Sequence, residues 1–448
     1  IDLLGCSGVI LNRYYSHAIC TPSRSAFLTG KYSYKIGMQG EPLSLSEDRG
    51  LPLSETLLPQ YFKKAGYATH LVGKWHVGMS RNKFLPTERG FDSYFGHRGG
   101  YTDYYEYTVD ANVISGLSLH RNNDPAWDVK GYLTDVYTEE AVSIIKNHDV
   151  SRPLFLVVAH NAPHASNSAA AMQAPPDQVR NMRHVELTSR RLLAAVVTKL
   201  DDSVGDIVKQ LYKKGIMKNT IIAFVSDNGG MTTGFLQNYA SNYPMRGIKM
   251  TPFEGGIRVV GVIWSNILNN TDHIYDRYMH VSDWMPTLLS AAGIKAPSNI
   301  NGVDQWKSIN TNENSPRNSI YEIDDYTGYG SVILGEYKLI TGVVNPSYST
   351  HQGAELRGII GRTPSYNKAI VNSKMYKILA SLGRNVDVSE VNKLRNKTMI
   401  ECGVTTNSGS VCNPIIDMST DSILRLIDSE ARCLTSRPSR RFVITVCR

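Results

Sequence analysis

Apolar, β-branched runs alternate with amphipathic stretches along most of the chain. Nearly continuous apolar runs, the pattern of strands buried on both faces, predict strands at 67–75, 152–160, 219–227 and 257–264. Apolar positions spaced about 3.6 residues apart predict helices at 53–66, 135–148, 188–215 and 282–293. Because strands alternate with helices, we expect an α/β fold with a mainly parallel central sheet flanked by helices. Ligands bind such sheets beyond the carboxyl ends of the strands.

The pattern changes towards the C-terminus. Short strand candidates at 330–342, with a turn at Gly335 and Glu336, predict a small antiparallel sheet, which polar segments rich in Asn and Ser follow. We therefore expect a main domain over residues 1–320 and a small C-terminal subdomain over 321–448. The opening stretch, IDLLGCSGVILNRYY, begins inside an apolar helix-like pattern, so we expect the natural N-terminus to lie further upstream.

Composition and charge exclude several classes of protein. The 448 residues are 42% hydrophobic and 20% charged, as in ordinary globular proteins, and the formal net charge is +8. The Lys and Arg residues are scattered, so a nucleic-acid partner is not expected. No apolar run approaches the roughly 18 residues of a membrane helix, and no transmembrane segment is expected.

The cysteines and glycosylation motifs bear on the compartment. Four of the six cysteines, Cys402, Cys412, Cys433 and Cys447, fall at the C-terminus without a CxxC pair. They favour a tail held by disulfides over a zinc site, with three pairings open. The sequons at Asn269 and Asn396 are candidate glycosylation sites. Together these features favour a secretory route.

The stretch ICTPSRSAFLTGKY, residues 19 to 32, carries the first candidate chemistry. Thr21 suits an N-cap, Pro22 the first helical position and Gly30 the C-terminal stop. Cys20 is then expected beside a helix N-terminus, where backbone N–H groups favour an anion. With Arg24 one turn on, the thiol is expected to have thiolate character or to serve an anionic ligand. The alternative is a buried structural cysteine.

Polar residues follow the predicted strands. The segments GKWH (73–76), HNAPH (160–164) and SDNGG (226–230) come at strand ends, and a loop Lys follows the third segment. Taken singly, each is more typical of a turn, a solvated lysine or a core histidine. If all lie at one edge of one sheet, they surround Cys20 with the basic side chains Arg24, Lys74, His76, His164 and Lys249. Asp227 and Asn228 add oxygen ligands for a hard cation. This set predicts a pocket for a tetrahedral anion.

The ordered motifs resemble those of the type I sulfatases. CTPSRSAFLTGKY is similar to the Cys-x-Pro-Ser-Arg signature of that family, and GKWH, the His164 segment, SDNGG and Lys249 follow in the family's order. The segments LPTERGFDSYFG, MRGIKMTPFEGGIR and HVSDWMPTLLSAAG are most similar to arylsulfatase B, the N-acetylgalactosamine-4-sulfatase group, and its invertebrate relatives. The resemblance covers residues 1 to about 345 and implies an alkaline-phosphatase-like fold.

The resemblance also implies a mechanism. Cys20 would be converted to formylglycine by the formylglycine-generating enzyme of the secretory pathway, and a hydroxyl of the hydrated aldehyde would attack sulfur. Arg24 and Lys74 would hold the diol. His164, with Lys249 beside it, would bind sulfate and protonate the leaving oxygen.

The second half of the reaction and the metal follow from the same resemblance. His76 would take a proton from the second hydroxyl and so expel sulfate. One Ca²⁺ would be held by the residue formed from Cys20, by Asp227 and by Asn228. The family carries a further Asp-Asp pair upstream of the cysteine, whereas Asp2 is the only acidic residue among the 19 that precede Cys20. The missing pair is explained either by a truncated N-terminus, which we favour, or by a metal-poor protein.

We therefore expect a sulfatase that hydrolyses a sugar or aryl sulfate, including glycosaminoglycan units, in the secretory pathway, lysosomal or extracellular. Two alternatives stay open. One is a phosphate-ester hydrolase of the same fold, which usually has Ser or Thr in place of Cys20. The other is a catalytically impaired secreted binder of sulfated ligands. The tyrosine-rich stretch YTDYYEY (101–107) is either an aromatic lip for substrate or loop packing.

Overall fold

The computed structural model describes residues 1–110, 115–166, 170–349 and 363–401, and the side chains of the last range as far as residue 394. The α-helices are α1 Asp2–Cys6, α2 Cys20–Thr29, α3 Leu58–Lys64, α4 Leu133–Asn147, α5 Pro176–Asn181, α6 Thr188–Lys213, α7 Glu254–Ile257, α8 Trp284–Ala291, α9 Trp306–Thr311, α10 Pro346–Ser349, α11 Tyr366–Asn372, α12 Lys374–Ser381 and α13 Val388–Glu401. No helix within the described ranges combines the length and apolar character needed to cross a bilayer.

The strands are β1 Val9–Tyr15, β2 Ala68–Gly73, β3 Ser93–His97, β4 Thr108–Asp110, β5 Ser115–Leu117, β6 Leu119–Arg121, β7 Asp124–Pro125, β8 Leu154–Ala159, β9 Ile221–Val225, β10 Gly261–Ser265, β11 His273–His280, β12 Ser319–Asp324, β13 Tyr329–Leu334 and β14 Tyr337–Gly342. The central strands form two sheets, in the orders β11-β1-β10-β9 and β7-β6-β3-β2-β8. The strands β12, β13 and β14 form a separate antiparallel sheet, and β4 pairs with β5.

The predicted α/β class is confirmed, with flanking helices and a small antiparallel sheet near the C-terminus. Both central sheets are mixed. Parallel pairing joins β1 to β11 and β2 to both β3 and β8, whereas β10 runs antiparallel to both of its neighbours and the β6–β7 edge is antiparallel. The expectation of a mainly parallel sheet missed the antiparallel pairing of β10 because an interior strand buried on both faces is apolar whichever way it runs.

Most predicted elements lie where the apolar spacing places them. The strands β2, β8 and β9 and the helices α3, α6 and α8 each fall inside the corresponding predicted range, and α4 begins two residues before its predicted range of 135–148. The turn at Gly335 and Glu336 joins β13 to β14 as predicted. The opening stretch differs from the helix-like expectation: α1 ends at Cys6, and β1 follows almost at once.

A deep slot separates the two central sheets. The strands β8 and β9 are the end members of their sheets, so each leaves one edge without a strand partner among the described residues. All six residues of β8 and most of β9 are only half-buried, although both strands are apolar. The slot has a volume of about 2020 Å³, and α6 lines it where it crosses from β8 to β9. Its lining includes residues that follow the carboxyl ends of both strands, such as His164 and Asn228.

The predicted C-terminal disulfides concern cysteines that lie outside the described residues. Within those residues, Cys6 and Cys20 are free and buried. The two-domain boundary near residue 320 stays a prediction. The C-terminal sheet packs on the main body through buried residues such as Ile320 and Ile333, which contact Tyr15, Ala18 and Ile257.

Candidate active site

Cys20 is the first residue of α2. Ile19, in an extended conformation, precedes the helix, and Gly30 closes it in the left-handed conformation with φ 67°. The prediction of Gly30 as the stop is confirmed, whereas the prediction of Thr21 as the N-cap is wrong. The Thr21 hydroxyl instead donates to the carbonyl of His76 and accepts from the N–H of Leu43, both in neighbouring loops. The cysteine therefore lies in the first helical turn, where unpaired N–H groups favour negative charge.

Lys249 and His164 lie directly beside Cys20. Lys249 Nζ is 3.4 Å from the Cys20 sulfur and 3.1 Å from His164 Nε2. His164 Nδ1 is 2.7 Å from the carbonyl oxygen of Ala165, which can only accept a hydrogen bond. The proton of the neutral ring therefore lies on Nδ1, and Nε2 accepts from the lysine. Burial and the charge of Lys249 lower the pKa of His164 to about 4, so the ring is neutral near pH 7 and accepts the hydrogen bond from Lys249.

These neighbours change the acidity of the thiol. Burial alone would raise the pKa of Cys20, but the positive charges of Lys249 and Lys74 outweigh burial and hold that pKa well below its usual range. Lys74 is itself only 3% exposed, and burial lowers its pKa. Cys20 therefore occupies a cationic centre, as the sequence predicts, and a purely structural role does not account for its charged neighbours.

His76 has the geometry of a poised base. Its Nε2 is 2.9 Å from the carbonyl oxygen of Leu43 and donates to it, so Nδ1 carries the lone pair. That Nδ1 is buried without a hydrogen-bond partner of normal geometry. The residue is held at φ 58°, and a Cβ built on Gly100 would lie 2.6 Å from its Cε1. Such strain and close packing are typical of a functional position.

Arg24 links α2, the helix that begins with Cys20, to Asp227, which follows β9. Its Nε and a terminal nitrogen lie 3.0 and 2.9 Å from Asp227 Oδ2, and its other terminal nitrogen donates to the carbonyl of Lys74. Burial would raise the pKa of Asp227, but the Arg24 guanidinium lowers it, so the carboxylate is ionised. The structure thus brings all six predicted catalytic side chains to one end of the sheets: Cys20, Arg24, Lys74, His76, His164 and Lys249.

Asp227 and Asn228 supply two neighbouring side chains for the predicted Ca²⁺. The Asn228 Oδ1 atom is buried without a hydrogen-bond partner, as an oxygen meant for a cation would be. Ca²⁺ takes about six to eight oxygen ligands. No group of three or more His, Cys, Asp and Glu side chains suited to a metal occurs within the described ranges. These two residues fit one side of a hard-cation site, and by themselves they do not fit a complete one.

Two tyrosines of the 101–107 stretch support the site. Tyr101 stacks on the His164 ring, with ring centroids 6.0 Å apart, and the Tyr104 hydroxyl donates to the His164 carbonyl. Tyr104 is fully buried, which agrees with the packing alternative for that residue. Sequence reasoning missed the backbone carbonyls of Leu43 and Ala165, because an acceptor that every residue possesses leaves no signal in a sequence.

The two glycosylation predictions differ in how far the structure describes them. Asn269 is exposed in the loop after β10, as an acceptor must be. The side chain of Asn396 lies outside the described side chains. Neither modification is tested by the fold.

Comparison with known proteins places this fold, with its cationic site around Cys20, in the sulfatase class. The chain belongs to the sulfatase family, whose model, described as "Sulfatase", matches residues 1–294. Arylsulfatase J of Mus musculus is 37% identical over 418 residues, which are 87% of this chain and 68% of that protein. N-acetylgalactosamine-6-sulfatase of Mus musculus is 31% identical over 363 residues, 75% of this chain and 66% of that protein. The chain spans about two thirds of the length of both relatives.

Solved structures agree on the fold. The crystal structure of Ps i-CgsB superposes with a TM-score of 0.69 at 25% identity and covers 96% of this chain and 92% of that one. The PsFucS1 sulfatase from Pseudoalteromonas sp. gives a TM-score of 0.62 at 23% identity, covering 90% and 85% of the two chains. The predicted alkaline-phosphatase-like fold and membership of the sulfatase family are thus confirmed.

Proposed function

We propose that this chain hydrolyses the sulfate ester of a sugar or aryl alcohol through a formylglycine made from Cys20. The observation that carries the proposal is the contact of Lys249 Nζ with both the Cys20 sulfur and His164 Nε2, at 3.4 and 3.1 Å. A single ammonium then lies against the nucleophile position and against a neutral imidazole. This arrangement suits a reaction in which negative charge develops on an anion attacked from position 20.

The proposed reaction needs two proton transfers, and the groups that would perform them lie on two sides of Cys20. On one side, Lys249 carries the proton and His164 Nε2 accepts from it, so the pair can protonate the leaving alcohol oxygen. On the other side, His76 offers the unpartnered lone pair of Nδ1 and can take the proton of the second diol hydroxyl. Arg24 and Lys74 stabilise the charge on the sulfate oxygens and on the diol.

The proposed Ca²⁺ would neutralise sulfate oxygens and would be bound in part by Asp227, Asn228 and the converted residue 20. It needs oxygen ligands beyond these. In the family that this chain resembles, an Asp-Asp pair supplies such ligands.

The substrate class and the cellular location belong to the same proposal. Relatives of this chain include proteins named for N-acetylgalactosamine 6-sulfate and for aryl sulfates, and a carrageenan oligosaccharide is bound in one structural neighbour. We propose a sulfated sugar or aryl sulfate for this chain, with an arylsulfatase B-like preference. Maturation by the formylglycine-generating enzyme and glycosylation at Asn269 would place it in the secretory pathway, in a lysosome or outside the cell.

The test is the chemical state of residue 20 in protein from a secretory host that performs the conversion. Mass spectrometry of the tryptic peptide that contains Cys20 should show the mass change of replacing the CH₂–SH group by an aldehyde. The converted protein should release sulfate from an aryl sulfate, and a Cys20→Ala variant should not. An unmodified thiol together with tight binding of a sulfated sugar would contradict the proposal and favour the impaired binder. Faster hydrolysis of the matching phosphate ester would favour the phosphatase alternative.

A further inference from the structure

Glu322 lies far from Cys20 in sequence but is buried close to it in space. It is in β12 of the C-terminal sheet and is 4% exposed. Its Oε2 is 2.5 Å from Nδ1 of His17, and its Oε1 accepts the N–H of Ala18 at 3.1 Å. His17 is fully buried. Both oxygens of one carboxylate thus hold two consecutive residues of the turn between β1 and α2.

That turn is connected to both halves of the proposed active site. The carbonyl of His17 accepts from the Ser23 hydroxyl in the first turns of α2, the helix that begins with Cys20. The carbonyl of Ala18 accepts the N–H of Met250 at 2.9 Å. Met250 follows Lys249 directly and is held at φ 69°, a conformation that non-glycine residues seldom adopt.

We propose that Glu322 is a positioning residue: by fixing the turn at His17 and Ala18, it sets the distance between Lys249 and the nucleophile made from Cys20. The effect on catalysis rests on the proposed function, whereas the effect on geometry does not. Through this contact the C-terminal sheet takes part in forming the active site, although it contributes no side chain that touches the reacting atoms.

The physical reason is the cost of unpaired polar groups in a buried turn. Without the carboxylate, the Ala18 N–H and the His17 Nδ1 atom would lack partners in a place that water hardly reaches, although His17 Nε2 would still accept the N–H of Ser33. The turn would shift to satisfy them, and the shift would pass to Met250 through the Ala18 carbonyl. A displacement of about 1 Å between reacting groups can reduce a rate about 100-fold.

The experiment compares three variants of the converted protein. Glu322→Ala removes both acceptors. Glu322→Gln keeps an acceptor for the Ala18 N–H, and its amide N–H can donate to His17 Nδ1 when that ring carries its proton on Nε2, so this variant serves as the rescue. Asp324→Ala is the matched control, because Asp324 is on the same strand, is 6% exposed and also accepts two backbone N–H groups, those of Tyr326 and Thr327.

Two readouts are needed, kinetics on an aryl sulfate and amide hydrogen exchange. We expect Glu322→Ala to lower kcat about 10- to 100-fold with KM changed less than about 3-fold, and the other two variants to stay within about 3-fold of wild type. In Glu322→Ala, amide exchange should rise about 10-fold in the peptides containing Ala18 and Met250, and it should not rise there in Asp324→Ala.

The outcomes separate the two proposals. Equal effects of Glu322→Ala and Asp324→Ala on kcat and on both peptides would overturn the positioning role. So would a normal exchange rate at Met250 in Glu322→Ala. If wild-type protein does not hydrolyse any sulfate ester, the proposed function fails, while hydrogen exchange still decides whether Glu322 fixes the turn.

Discussion

Replacing Lys249 by Met tests which group delivers the proton to the leaving oxygen. The variant keeps the length of the side chain and removes its charge and its proton. The hydrogen bond of His164 Nδ1 to the Ala165 carbonyl leaves that ring without a proton on Nε2. The pKa of His164, lowered to about 4, keeps it neutral. Lys249 is therefore expected to act as the acid, with His164 orienting it.

The magnitude follows from the distance between Lys249 Nζ and the Cys20 sulfur, 3.4 Å. At an effective dielectric constant of about 20, two unit charges at that separation interact by about 5 kcal/mol. Each 1.36 kcal/mol is a factor of about ten in rate, so the upper limit is a loss of about 5000-fold. Lys74 remains in the variant and water can enter, so we expect kcat to fall about 100- to 1000-fold for a substrate with a poor leaving group.

The assay is a series of aryl sulfates whose phenols differ in acidity. In wild type, kcat should depend weakly on phenol acidity, because the leaving oxygen is protonated as it departs. In Lys249→Met the dependence should be steep, with the loss concentrated on the least acidic phenols. Lys31→Met, which removes a half-buried lysine paired with Glu55, is the control and should match wild type. An equal loss for every phenol would refute the reasoning and would mean that Lys249 only binds charge.

Three further predictions concern stability and packing. Arg317→Met should lower the free energy of unfolding by about 3–5 kcal/mol in urea titrations, because it leaves the fully buried Asp283 carboxylate without its ion-pair partner. Burial lowers the pKa of His160 to about 4 from 6.5, so the stability it contributes is complete above pH 6.5 and is lost as the pH falls towards 4. Because the His160 side chain is partly exposed, we take that contribution as about 2 kcal/mol. Between pH 7 and 4.5 the free energy of unfolding of His160→Asn should therefore fall by about that much less than the free energy of unfolding of wild type. Gly100→Ala should reduce kcat about 10-fold or more without changing the expression level, since its Cβ would lie 2.6 Å from the His76 ring; unchanged kinetics would contradict the tight packing.

The main elements were predictable because buried strands and amphipathic helices leave strong periodic patterns. The runs that became β2, β8 and β9 are apolar enough to be recognised singly. The start of α2 was not predicted correctly. Thr21 has the chemistry of an N-cap, but its hydroxyl forms hydrogen bonds with the backbone of Leu43 and His76 instead. A tertiary contact overrode a local preference.

That the candidate site residues would come together in space was predictable from the expected sheet topology. Residues that follow parallel strands meet at one edge of a sheet, so the segments ending in His76, His164 and Asp227 were expected to converge. The sequence could not predict which ring nitrogen of His76 and of His164 carries the proton. The tautomers of His76 and His164 depend on which carbonyl lies beside each ring, and those carbonyls belong to Leu43 and Ala165. Glu322 was missed for a similar reason, since its partners are separated from it by some 300 residues.

The net charge of the described site residues determines which ligands the site attracts. Three cationic side chains, Arg24, Lys74 and Lys249, surround Cys20, and among the described residues near it only Asp227 opposes them with a carboxylate. Arg24 already pairs with that carboxylate. A divalent cation entering this set would meet net repulsion, whereas a sulfate ester would be attracted. The proposed Ca²⁺ would therefore need negative ligands in addition to Asp227, and the unpartnered Asn228 oxygen would be one of its neutral ligands.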